Sequence, residues 1–114
     1  APAPTISTHV LDTERGQPAA GIHVTLSRIG DDGKPIRMTQ ALTDADGRVR
    51  DLLERPLTAG DYRLEFRLGD KGPDVADDAF FRRLAVDLRV TDVTRSYHVP
   101  LLLSSFGMTT YRGS

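Results

Sequence analysis

The sequence predicts an all-β sandwich, and three features carry that prediction. Short runs alternate apolar and polar residues with a period of two, as half-buried strands do. Turn chemistry built on Gly, Asp and Pro separates these runs at short intervals. The chain has 114 residues, 39% hydrophobic and 27% charged, which fits one ordinary core in one domain spanning residues 1–114.

The elements follow in order. TISTHVLD (5–12) alternates, with Ile6, Thr8 and Val10 on one face and Ser7, His9 and Leu11 on the other. ERGQPAAG (14–21) reads as a loop from its Gly and Pro content. IHVTLSRI (22–29) is the next strand and points Ile22, Val24 and Leu26 one way. GDDGK (30–34) predicts a hairpin turn into IRMTQALT (36–43), which ends at a second tight turn, DADG (44–47). DYRLEFRL (61–68) alternates without a break, placing Tyr62, Leu64, Phe66 and Leu68 inward. DVADDAFFRRL (74–84) has helical character, with Asp74 as cap and acidic residues in the first turn. LAVDLRV (84–90) and SYHVPLLLS (96–104) are further strands, and Pro100 predicts an edge position or a bulge because it has no N–H for a ladder. MTTYR (108–112) closes the set, giving about seven or eight strands and one short helix.

Composition narrows the function. A net charge of -1 argues against nucleic acid as a partner, since phosphate binding needs a basic excess. Cysteine is absent, which excludes disulfides, thiolate catalysis and Cys-based zinc sites. No apolar run is long enough for a membrane helix. The chain begins APAP rather than with Met. Small residues suit a signal peptidase, so both a periplasmic and a cytoplasmic location stay open.

The candidate chemistry rests on three histidines, His9, His23 and His98. His23 reads as a surface residue. His9 and His98 each sit on the non-core face of a strand, beside Ser7 and Ser96 respectively. Were they to meet, they could share acid–base work, since an unperturbed imidazole titrates near ~6.5. They could also hold a metal, but no HExxH-type spacing is present to complete a zinc site. DADGR (44–48) lacks the further ligands and closing Glu of a calcium loop and reads as an Asp-capped turn with Gly47 at positive φ. From residues alone the reading stops at a β-sandwich with a possible His/Arg site.

Resemblance takes it further. The first two-thirds of the chain share a generic pattern with prealbumin-like sandwich modules. STHVLDTERGQPAAGI, TDADGRV and YHVPLLLS…YRGS together resemble the transthyretin-related 5-hydroxyisourate hydrolases, over nearly the whole chain. The closing YRGS is that family's hallmark. The resemblance implies a transthyretin-like sandwich of two four-stranded sheets with one short helix, assembled as a homotetramer, a dimer of dimers. It implies hydrolysis of 5-hydroxyisourate in urate catabolism, with His9, Arg48, His98 and Ser114 catalytic. Tyr111, Arg112 and Gly113 would bind substrate, Ser114 acting through its hydroxyl or a terminal carboxylate. No metal or organic cofactor, nucleic acid or membrane is implied. Which histidine is the base stays open. FFRRLAV (80–86) and LLSSFGM (102–108) depart from the family pattern without touching these residues. The alternative is a transthyretin-like carrier of a small ligand without catalysis; an isopeptide-linked structural module is disfavoured by the polar, turn-like settings of Lys34 and Lys71.

Overall fold

In this computed structural model the described residues are 3–68 and 80–113. They form nine strands: β1 (Ile6–Asp12), β2 (Gln17–Pro18), β3 (His23–Ile29), β4 (Pro35–Leu42), β5 (Arg48–Val49), β6 (Gly60–Arg67), β7 (Arg83–Val90), β8 (Tyr97–Leu103) and β9 (Met108–Thr110). One sheet runs β2-β1-β8-β9 with β5 also on β1, and the other runs β4-β3-β6-β7. β5 pairs with Thr8 and His9, whereas β2 pairs with Leu11 and Asp12. Two very short strands thus share one edge of β1, so the first sheet has five strands but only the width expected of four.

Alternation decides which residues reach the core. Tyr62, Leu64 and Phe66 of β6 are fully buried against Ile22, Val24 and Leu26 from the chain around β3. Each such burial contributes about 1.5–3 kcal/mol. The outward residues of β6 instead form cross-strand ion pairs with β7: Arg63–Asp87 at 2.8 Å and Arg89–Asp61 at 2.9 Å. These pairs are exposed and add little stability individually, but opposite charges across a ladder help to set its register.

The predicted hairpin at 30–34 forms, with Gly33 at φ 77° and its N–H donating to the Gly30 carbonyl at 2.9 Å. The predicted helix needs correction. Residues 74–79 lie outside the described residues, but its C-terminal part is not helical: Arg83 and Leu84 already belong to β7, opposite Arg67 and Phe66. Leu84, Val86, Leu88 and Val90 alternate, and the ladder to β6 overrides the short-range helical signal.

Pro100 also differs from expectation. It lies in β8, an interior strand between β1 and β9, rather than at an edge. The β8–β9 ladder begins only at Leu101, opposite Thr110. The missing N–H therefore falls beyond the end of β9, and the Pro100 carbonyl on that side accepts from Thr110 Oγ1 at 2.8 Å.

Candidate active site

β1 is pinned by its core face. Ile6 and Val10 are fully buried, and the buried Thr8 hydroxyl donates to the Val99 carbonyl of β8 at 2.6 Å. With that face committed, Ser7 and His9 must project from the opposite, outer face of the sheet. The parallel β1–β8 register sets Ser7 against His98 and His9 against Pro100. Ser7 and His98 therefore meet on the same face, with Ser7 Oγ 2.9 Å from His98 Nδ1.

Arg48 arrives from the other side of β1. Asp44 opens the turn: its Oδ1 accepts from the backbone N–H of Asp46 at 2.9 Å and of Arg48 at 3.0 Å. The Arg48 N–H is the main reason that the Asp44 carboxyl is held below its ordinary range. Gly47 lies in the left-handed region at φ 75°, and a Cβ there would come within 2.4 Å of the Val10 carbonyl. The turn is thus pressed against β1, and its next residue, Arg48, pairs directly opposite His9. The Asp-capped turn with Gly47 at positive φ forms as the sequence predicts.

The tail supplies a fourth element. The register that pairs Leu101 with Thr110 places Gly113 opposite His98, and Gly113 N–H donates to the His98 carbonyl at 2.7 Å. A Cβ on Gly113 would lie 2.7 Å from His98 Cδ2. Glycine is required because the tail backbone lies against the imidazole.

Strand pairing thus sets Arg48 beside His9, β1 beside β8 with its His98, and Gly113 against His98. The Arg112 guanidinium lies 4.6 Å from the Tyr97 ring centroid, a cation–π arrangement. Tyr111 is 53% exposed. Tyr111 and Arg112 line a cavity of about 290 Å³ together with His98, Val86, Leu88 and Tyr97. Ser114 lies outside the described residues. Ser7 was missed as a site residue. Its signal was its place two residues before His9 on the same polar face.

Electrostatics tie the cluster together. His98 is half-buried, and burial pushes its pKa below the ordinary imidazole value; the charges of Arg48 and His9 push it the same way. The ring is thereby biased toward its neutral form, in which one nitrogen can accept a proton. Among the described residues, no three His, Cys, Asp or Glu side chains gather as a metal site. The groups on this face are instead two imidazoles and a guanidinium, an arrangement suited to moving a proton and stabilising an oxyanion.

A family model described as the HIUase/Transthyretin family matches residues 6–113. The chain belongs to this family. A 5-hydroxyisourate hydrolase of Caulobacter vibrioides is 42% identical over 114 residues, covering 96% of this chain and 97% of that protein. The structure of Klebsiella pneumoniae 5-hydroxyisourate hydrolase superposes with a TM-score of 0.83 at 34% identity, covering 97% of this chain and 99% of that one. Sea bream transthyretin in complex with thyroxine superposes with a TM-score of 0.85 at 28% identity, covering 94% and 92%. Membership of the HIUase/Transthyretin family thus accounts for the sandwich. Relatives named 5-hydroxyisourate hydrolase, 42% identical in the Caulobacter vibrioides case over nearly the full chain, support a hydrolase of the urate pathway.

Proposed function

We propose that this chain, as one transthyretin-like domain, is a hydrolase of urate catabolism that opens the ring amide of 5-hydroxyisourate. The product is 2-oxo-4-hydroxy-4-carboxy-5-ureidoimidazoline. The observation that carries this reading is the convergence of His98, His9, Arg48 and Gly113 on one sheet face. Similarity to hydrolases of that name supplies the substrate.

In the proposed reaction, His98 takes a proton from water, whose oxygen bonds to the ring carbonyl carbon. Negative charge grows on the carbonyl oxygen, where the Arg48 guanidinium stabilises it. The C–N bond then breaks, and the departing nitrogen receives a proton from the imidazole pair, His9 standing as the acid. The neutral bias of His98 suits it to the role of base. The tail closes one wall: Gly113 against the His98 ring, with Tyr111, Arg112 and Ser114 assigned to substrate binding by the family resemblance. The chemistry uses only side chains and water.

The test generates 5-hydroxyisourate in situ from urate and follows its absorbance. Decay should be accelerated far above the spontaneous rate. Decay at the spontaneous rate would sink the hydrolase reading and favour the ligand carrier.

Assembly as a homotetramer belongs to the same proposal. β7 and β9 are the outer strands of their sheets, and residues of both line the cavity between the sheets. Edge strands among the described residues, with half-covered Val86 and Leu88 on β7, suit strand addition by a second copy. Sedimentation equilibrium should return about four chain masses, the closed symmetric form of a dimer of dimers; a monomer at assay concentration would refute the assembly.

A further inference from the structure

We propose that Ser7 is a positioning residue for His98, holding one edge of its imidazole so that Nε2 alone is presented to the substrate. This rests on the hydrolase reading above. The inference starts from strand register: Ser7 and His98 are paired across parallel strands though 91 residues apart in sequence. Ser7 Oγ lies 2.9 Å from Nδ1, within ordinary hydrogen-bond range.

The opposite edge of the ring is held differently. His98 Cδ2 lies where a Cβ on Gly113 would be only 2.7 Å away, so that edge abuts the tail backbone. A turn of the ring about its Cβ–Cγ bond exchanges Nδ1 with Cδ2. It would set a carbon against the serine hydroxyl and a nitrogen against Gly113. Histidine χ2 is otherwise broad and nearly two-fold, so rotamer preference does not choose between the two orientations. Ser7 on one side and Gly113 on the other do. A hydroxyl can donate to Nδ1 or accept from it, and either bond biases the tautomer as well as the orientation. With Nδ1 engaged, Nε2 is the nitrogen left for proton transfer.

Ser7→Ala removes the hydroxyl and leaves the strand intact. Its kcat should fall roughly ten- to a hundredfold from misorientation of the base, with KM unchanged. Ser7→Thr keeps a hydroxyl on a strand-favouring residue and should restore the rate. On a His98→Asn background, Ser7→Ala should cause no further fall, because residues acting as a unit are not additive. An independent multiplicative loss would mark a merely structural role and overturn the proposal.

A second readout needs no activity. The imidazole 15N signals of His98 should shift in Ser7→Ala and stay at their wild-type positions in Ser7→Thr. Unchanged signals in Ser7→Ala overturn the proposal. Failure of the wild-type protein to hydrolyse 5-hydroxyisourate would defeat the hydrolase reading, while the 15N arm would still decide whether Ser7 orients the ring.

Discussion

His98→Asn is expected to lower kcat/KM for 5-hydroxyisourate by roughly 10²–10⁴-fold, the usual contribution of a general base. Asn keeps a polar group on this strand and adds no volume against Gly113, so the β1–β8 ladder should survive. The variant should therefore keep the wild-type unfolding temperature while losing the rate. An equal loss of stability would mean that His98 serves packing instead.

The pH profile sharpens this expectation. A base must be unprotonated, so activity is complete above its pKa and is lost as pH falls through it. Burial, with the Arg48 and His9 charges adding to it, holds His98 below the ordinary imidazole value. The acid limb of kcat/KM should therefore lie below ~6.5. Arg48→Gln removes one of those charges and should move the limb to higher pH, besides lowering the rate. His9→Asn should retain an acid limb, whereas His98→Asn should abolish it. The reverse pattern would exchange the two roles.

Much of this arrangement was legible in the sequence, for local reasons. The inward set of β6 followed from a period of two. The DADGR turn followed from an Asp that caps and a Gly that tolerates positive φ. What was not legible depends on register between distant strands. The Ser7–His98 pair spans 91 residues, and no local pattern says which residues of β1 and β8 stand side by side. Pro100 was misplaced for a related reason: its missing N–H excludes a ladder partner, but it does not say that the neighbouring strand stops one residue short. The Arg112 guanidinium against the Tyr97 ring and Gly113 against His98 are likewise contacts between the tail and β8 that no local pattern announces. The Arg63 and Arg89 pairs with carboxylates across β6 and β7 also depend on a register between strands that lie far apart in sequence.

The second large effect falls on Gly47, where fold and site depend on the same atom. Gly47→Ala is expected to destabilise the protein by about 3–4 kcal/mol, a large value for one methyl group. The left-handed φ of 75° accounts for about 1–2 kcal/mol, the strain an L-residue meets there. The remainder comes from contact. The new Cβ would meet the Val10 carbonyl at 2.4 Å, and this is backbone that cannot rotate away. Relief requires the turn to retreat from β1. That retreat weakens the 2.7 Å bond from Val10 N–H to the Gly47 carbonyl, worth about 1 kcal/mol. Gly33→Ala provides the control. Gly33 has a similar φ of 77° but nothing within 4 Å of its added Cβ, so only strain of about 1–2 kcal/mol applies. Thermal unfolding should separate the two, with Gly47→Ala lowering Tm on the order of 15 °C and Gly33→Ala by less than half of that. Equal shifts would show that the approach to Val10 constrains nothing. Activity gives the sharper contrast. Arg48 follows Gly47 and stands opposite His9 only because the turn is seated on β1. At a temperature where both variants are folded, Gly47→Ala should lose kcat/KM and Gly33→Ala should not, because only the first moves the guanidinium away from the imidazoles.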